Sequence, residues 1–338
     1  MRVFVTGGTG FLGRHIVWAL SNSGHTVSFC GRDKQAAAKI ICAADAPLRF
    51  TAIEHASADA TRLLNREIAR TDAVVHCAAL SSPWGKKGDF ETANVKSTSD
   101  VIACCEKNGI ARLVHISTPS IYFSFRNARD IDEQMALPSP VNLYAATKRI
   151  AEERVQKSII PKRIILRPRA LFGPWDTTLA PRLLRVMRAG GLPLPRRGQA
   201  FVDATYIDNA AHAVALALTK ELPGPLHVYN ISNGEPVAIG TLVASIAQEC
   251  GIDARIRYVP YTLLHATAAL MEIAASVGLA AEPPLTRYGV GVLQYDQTLS
   301  LARARTELGY APVVSLADGI KRYGKWWRER AGKAEATA

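Results

Sequence analysis

Apolar residues along this chain fall into two alternating patterns. Short runs at Met1–Thr6, Thr26–Cys30, Ala73–Cys77, Arg112–Ile116 and Arg163–Arg167, with another near 48–53, have the length and composition of buried strands. Between them the apolar positions recur with helical spacing. Phe11, Leu12, Ile16, Val17 and Leu20 share one helix face, a long helix is expected from about Asp89 to Asn108, and another follows Pro140. Strands that alternate with helices predict an α/β protein, a Rossmann-type doubly wound parallel sheet.

Beyond residue 175 the alternation weakens. Pro and Gly cluster at 190–195 and 222–225, and His227–Ile231 reads as a strand returning to the sheet. The expected division is a dinucleotide-binding domain over 1–175 and about 226–258, and a smaller, discontinuous C-terminal substrate lobe over about 176–225 and 259–331. The polar segment 332–338 is expected to be a flexible tail. Leu263–Ala281 is apolar enough to approach membrane-spanning length, but His265 and Glu272 interrupt it. A buried helix or a lid over an apolar substrate is the expectation, with peripheral membrane contact as the alternative.

The first strand runs directly into Gly7-Gly-Thr-Gly10-Phe-Leu-Gly13 and then a helix. In that setting Gly7 permits a tight turn, Gly10 lets a pyrophosphate approach the main chain, and Gly13 lets helix and strand pack closely. The helix N-terminus offers unpaired N–H groups and a positive dipole end to phosphate. The second strand ends at Gly31-Arg32-Asp33, where such a domain meets the adenosine ribose. A small residue followed by a guanidinium favours NADP(H), and Asp33 keeps NAD(H) as the alternative. Asp59 is either an adenine contact or the N-cap of the helix after it. Small residues at Ala78-Ala79, followed by Leu80, leave room for the cofactor. Asn94 inside a helix implies polar work, such as holding a water or a backbone bend.

The net charge of +12 comes from 41 Lys and Arg against 29 Asp and Glu. No nucleic-acid-binding module accompanies it, so solvated faces and a phosphate site account for it better than nucleic acid does. Six cysteines lack C-x-x-C or metal-ligand spacing, which suggests a reducing compartment and no metal. No signal peptide is read, because the glycine turn interrupts the first apolar run. The expected location is cytoplasmic, with a membrane-peripheral site as the alternative.

Tyr144 and Lys148 are one helical turn apart, and Ser117-Thr118-Pro-Ser120 sits at the carboxyl end of the fifth strand. A phenol with an ordinary pKa of about 10 becomes a usable base beside an ammonium, and a hydroxyl can hold a substrate oxygen. Together these suit proton and hydride movement at an alcohol or ketone carbon.

With these motifs the chain resembles the extended short-chain dehydrogenases/reductases over nearly its whole length. The resemblance is carried by Thr6–Gly13, His76–Ala79, Asn94-Val95, Ser117-Thr118, Tyr144–Lys148 and Arg167-Pro168. It implies Tyr144 as general acid/base, Lys148 as its partner and ribose contact, Thr118 as the group orienting the reacting oxygen, and Asn94 in a proton relay. The implied cofactor set is Gly7, Gly10, Phe11, Leu12, Gly13, Arg32, Asp59, Ala60, Ala78, Ala79, Leu80, Tyr144, Lys148, Pro168, Ala170 and Leu171. Arg167–Pro174 and Asp203–Ala213 resemble the 3β-hydroxysteroid dehydrogenase/isomerase-like branch, whereas many sugar-nucleotide enzymes carry Asn where Ala170 stands. The expected function is therefore an NAD(P)-dependent oxidoreductase acting on a hydrophobic small molecule, either sterol-like or a β-hydroxy/β-keto acid. A nucleotide-sugar epimerase or dehydratase and a non-catalytic NADP(H) sensor are the alternatives. Homodimerisation through the Tyr144 helix and the long helix before it is also implied.

Overall fold

The computed structural model describes residues 1–177, 180–188 and 190–335. Seven strands form the main sheet: β1 (Arg2–Thr6), β2 (Thr26–Gly31), β3 (Arg49–Ala52), β4 (Ala73–His76), β5 (Arg112–Ile116), β6 (Lys162–Pro168) and β7 (Leu226–Ile231). Their order is β3-β2-β1-β4-β5-β6-β7, and every pair is parallel. The order reverses beside β1, so the carboxyl ends of β1 and β4 flank a crevice. The sequence expectation of a doubly wound parallel sheet holds, including the return of the strand near 227–231.

Both faces of the sheet are covered, which is why the strands read as unbroken apolar runs. Val3, Val5, Val75 and Val114 join one core with Ile16, Val17 and Leu20 of α1 (Phe11–Asn22). Phe4, Cys30, Val74 and Leu113 face the opposite core with Val101 and Ile102 of α2 (Ser97–Lys107). Cys30 is fully buried there as a small core residue, and all six thiols are free. The helix expected over 89–108 is present in pieces. A short turn at Lys87–Phe90 leads into a π-helical turn at Glu91–Lys96 before α2 begins. Asn94 lies in the π-helical turn, so the backbone bend implied by an interior Asn is there.

α3 (Leu143–Lys157) carries the expected Tyr144 and Lys148, and the side chain of Asn142 caps its N-terminus by accepting from Ala145 N. α4 (Ile207–Thr219) shares a core with α1. A small sheet joins Val237–Ala238, Phe201–Val202, Gln297–Leu299 and Ala128–Ile131, segments far apart in the chain. α5 (Tyr261–Ser276) and α6 (Arg287–Gln294) pack against each other beyond it. α5 is not the buried helix expected: only Leu264 and Ala268 are buried, while Leu263, Leu270 and Ile273 are exposed. Its alanine-rich sequence needs few inward contacts to stay helical. Among the described residues no helix is long and apolar enough to cross a membrane. The last helix, α7 (Leu316–Glu335), runs through most of the segment expected to be a flexible tail. Ala, Lys and Glu there are good helix formers, and 336–338 of that segment lie outside the described residues.

Candidate active site

The glycine turn is built as its spacing implies. Gly7 has φ 68°, and a Cβ there would lie 2.7 Å from the Ala78 main chain. A Cβ on Gly13 would run into the Gly7 carbonyl oxygen, so only glycine allows α1 to start this close to β1. Gly10 is the N-cap of α1, it has no side chain to cap with, and the first turn contains no acidic residue. The first-turn N–H groups at Phe11, Leu12 and Gly13 are thus left for a ligand, a cradle that fits a dinucleotide pyrophosphate. Thr6 ties this turn to the next strand. Its hydroxyl accepts from Ala78 N at 3.2 Å and bonds His76 Nδ1 at 2.7 Å.

At the end of β2 a side chain on residue 31 would collide with Thr9, so no carboxylate can stand there. Arg32 is exposed and makes no side-chain hydrogen bond or ion pair among the described residues, whereas Asp33 caps the next helix by accepting from Ala36 N at 2.9 Å. Asp59 is exposed and pairs with Arg62 at 3.1 Å. Ala60 is fully buried in the core, so its side chain offers no surface to a ligand. Ala79 is exposed beside the half-buried Ala78 and Leu80. Asn94 clamps that loop. Its amide oxygen accepts from Leu80 N at 2.7 Å, and its nitrogen donates to Leu80 O at 3.3 Å and Thr147 Oγ1 at 3.0 Å.

Tyr144 is half-buried, with the Thr118 and Ser81 hydroxyls beside its phenol. Burial pushes the phenol up, and these two hydroxyls pull it back. The ammonium that the sequence suggested would lower the phenol is directed elsewhere. Lys148 Nζ donates to Ile116 O at 2.6 Å and lies 3.4 Å from His115 Nε2. Burial lowers Lys148 to about 8, so its own charge is weakened. His115 and His76 lie behind it with ring centroids 5.3 Å apart and planes tilted by 32°, and burial holds both well below the ordinary imidazole value.

The three neighbouring hydroxyls divide their work. Ser117 donates to Glu152 Oε2 at 2.6 Å, and Glu152 in turn pairs with Arg167 in the interior. Thr118 reaches Tyr144 and donates to Ser120 Oγ at 3.1 Å. Ser120 Oγ lies 2.8 Å from Tyr288 Oη of α6. Tyr288 packs edge-on against Phe123, which meets Phe125 in the same way. These rings form an apolar wall under α5, where His265 meets Phe125. After β6, Pro168 and Leu171 are half-buried, and Ala170 takes φ 43°, a strained conformation for alanine. Sequence reasoning did not find Ser81 or Tyr288. Ser81 could have been found as the first polar residue after a small-residue strand end. Tyr288 carries no local signal at all.

The profile of the NAD dependent epimerase/dehydratase family matches residues 3–232. The 2-alkyl-3-oxoalkanoate reductase of Stenotrophomonas maltophilia is 35% identical over 95% of this chain and 98% of its own. The decarboxylating sterol-4-alpha-carboxylate 3-dehydrogenase of Saccharomyces cerevisiae is 30% identical over 77% of this chain and 78% of its own. Among solved structures, the dTDP-glucose 4,6-dehydratase DesIV of Streptomyces venezuelae, with NAD bound, superposes with a TM-score of 0.76 at 25% identity, covering 98% of both chains.

Proposed function

The chain belongs to the NAD dependent epimerase/dehydratase family, and from that premise we propose that it interconverts a secondary alcohol and a ketone on a hydrophobic substrate, with Tyr144 as the general acid/base. Its reductase and sterol dehydrogenase relatives place it among the NAD(P)-dependent oxidoreductases of the extended short-chain type, on the 3β-hydroxysteroid dehydrogenase-like side. The observation that carries the proposal is the position of Tyr144, which lies beside Thr118 and Ser81 at the sheet's carboxyl edge and shares a helix with Lys148.

A bound nicotinamide dinucleotide supplies the hydride donor or acceptor. Phe11, Leu12 and Gly13 hold its pyrophosphate through main-chain N–H groups, and Gly7 and Gly10 keep the turn clear of side chains. Arg32 meets the adenosine ribose, and because Asp33 is spent as a helix cap, NADP(H) is preferred over NAD(H). Ala78, Ala79, Leu80, Pro168, Ala170 and Leu171 border the bound cofactor, while Asn94 keeps the 78–80 loop in place. Tyr144 gives or takes the proton on the substrate oxygen, and Thr118 and Ser81 hold that oxygen in line. Lys148, one helical turn from Tyr144, is anchored on Ile116 O at the end of β5. The half-buried rings of Phe125 and Tyr288 under α5, backed by the buried Phe123, suit a sterol-like substrate or a long-chain β-hydroxy or β-keto acid.

Leu143 and Ile150 are exposed on α3 and mark the face for a homodimer contact. The exposed Leu263, Leu270 and Ile273 of α5 are suited to peripheral contact with a membrane surface. The free thiols fit a cytoplasmic location.

The test is reduced-cofactor formation by the purified protein with NADP and NAD in parallel, against long-chain 3-hydroxy acids, sterol alcohols and nucleotide sugars. Net cofactor reduction with an apolar alcohol supports the proposal. A changed nucleotide sugar without net reduction sinks it in favour of an internally recycled cofactor.

A further inference from the structure

Three hydroxyls stand in line between the end of β5 and α6. Thr118, beside the Tyr144 phenol, donates to Ser120 Oγ at 3.1 Å. Ser120 Oγ lies 2.8 Å from Tyr288 Oη, a contact between residues 168 apart in the chain. Thr118 Oγ1 also accepts from Ser120 N at 3.2 Å, which caps the short Pro119–Tyr122 turn and fixes the first link. That turn packs against α3, the helix of Tyr144, so the line starts at the reacting centre. It ends on a half-buried tyrosine of a helix that the chain reaches much later.

Tyr288 is held from several sides. It lies in the first turn of α6, where Thr286 caps the helix by accepting from Gly289 N at 3.0 Å. Glu272 of α5 accepts from Arg287 N at 2.8 Å and from its Nε at 2.6 Å, which ties the same turn to α5. Further along α6, a Cβ on Gly291 would lie 2.7 Å from the Phe123 ring and 2.9 Å from that of Phe125. Glycine there lets α6 come close enough for the Tyr288 ring to meet Phe123 edge-on at 5.2 Å. A phenylalanine would satisfy all of this packing. The hydroxyl is what reaches Ser120.

A hydroxyl has one hydrogen and two lone pairs. With Thr118 donating to Ser120, its hydrogen is turned away from the phenol. An alcohol whose own hydrogen goes to Tyr144 needs a second donor on its oxygen as negative charge develops there. A line made only of hydroxyls can reverse as a unit, because each member donates as well as accepts. In the reversed setting Tyr288 donates to Ser120, Ser120 to Thr118, and Thr118 to the substrate oxygen. The far end must then supply a hydrogen, which tyrosine has and phenylalanine lacks. Bonds in such a chain polarise one another, so the donor at its end is strengthened.

Resting on the oxidoreductase reading above, we propose that Tyr288 is a positioning residue of the reacting centre: acting through Ser120, its hydroxyl turns the Thr118 hydrogen toward the substrate oxygen. α6 thereby contributes to the chemical step without touching the reacting atoms, and its attachment to α5 through Glu272 makes the seating of both helices felt at Thr118.

The experiment is a double-variant cycle with Tyr288→Phe, Ser120→Ala and the two combined. Reduced-cofactor formation is followed with the apolar alcohol that the wild type oxidises fastest among long-chain 3-hydroxy acids and sterol alcohols. Each single variant is expected to lower kcat by about 3- to 10-fold, the worth of one hydrogen bond, and to leave KM within about twofold. The double variant is expected to lose no more than the weaker single one, because either change breaks the same line. Cofactor affinity, measured by fluorescence titration, is expected to stay unchanged in all three. Losses that multiply in the double variant would make the two hydroxyls independent and overturn the inference. So would a raised KM with kcat unchanged, which would make Tyr288 a wall of the substrate pocket and no more, and so would single variants as fast as wild type. A wild type that reduces no cofactor with any of these alcohols but alters a nucleotide sugar overturns the oxidoreductase reading itself, and this inference with it.

Discussion

The Lys148 ammonium donates to the main-chain carbonyl of Ile116 at 2.6 Å, in a residue only 2% exposed. That contact fixes the lysine at the end of β5, and it holds a charge where water cannot solvate it. Burial lowers Lys148 from 10.5 to about 8. Below pH 8 folded and unfolded chains both carry the proton, and the folded state bears the full penalty, about 3 kcal/mol. Between 8 and 10.5 the unfolded chain binds a proton that the folded chain lacks, so stability rises with pH. Lys148→Met removes the penalty and one hydrogen bond worth about 1 kcal/mol. The variant is expected to be about 2 kcal/mol more stable than wild type at pH 7 and to lose that lead towards pH 10. Urea unfolding at both pH values checks it, and a lead that persists unchanged at high pH would exclude the explanation.

Tyr144→Phe removes the proton carrier and little else, because the ring is held by its helix. Turnover is expected to fall by about 10³-fold or more while cofactor affinity stays within a factor of about two. Steady-state rates together with cofactor fluorescence give both numbers. Activity near wild type would remove Tyr144 from the mechanism.

Arg32 and Asp33 are adjacent but do different jobs. Arg32→Ala is expected to weaken NADP binding by about 10- to 100-fold and leave NAD binding unchanged, the loss of a charge-assisted contact to phosphate. Asp33→Ala is expected to cost about 1 kcal/mol of stability as a lost helix cap, with the NADP-to-NAD ratio unmoved. Calorimetric titration of each variant with both cofactors separates the two. A ratio that follows residue 33 would reverse the assignment.

Glu152 and Arg167 form an ion pair inside the protein, with the Ser117 hydroxyl on the same carboxylate. Glu152→Leu leaves Arg167 buried without its counter-charge and is expected to cost about 3–5 kcal/mol. The double variant Glu152→Leu/Arg167→Met is expected to recover most of that loss, since both charges are gone. Denaturant midpoints of the single and double variants decide it, and a double variant as unstable as the single one would mean that the pair is not the source.

What could be read in advance was local. Val3-Phe4-Val5 announces a strand covered on both faces, and Gly7, Gly10 and Gly13 announce a turn too tight for side chains. Tyr144 and Lys148 fall on one helix whatever surrounds it. Asn94 was legible as a residue with polar work, though not as the clamp on Leu80. Spacing shows that the Tyr144 and Lys148 side chains share a face, but not that the ammonium finds a carbonyl on β5. Of the two expectations for α5, a buried helix or a lid, its exposure removes the first, because apolar content alone does not distinguish a buried helix from one lying on the surface.

By itself, the sequence determined the order of strands and helices, the glycine cradle and the Tyr144–Lys148 helix, because strand periodicity, turn sterics and helical spacing act between residues near in the chain. Only the tertiary structure decided that Ser120 meets Tyr288, that Ser117 turns inward to Glu152, and that Arg169 is buried without an ion pair among the described residues. Those relationships join segments more than a hundred residues apart, or depend on which way a strand end turns, and no local energy term specifies them; the packing of the small sheet and α6 against the main sheet does.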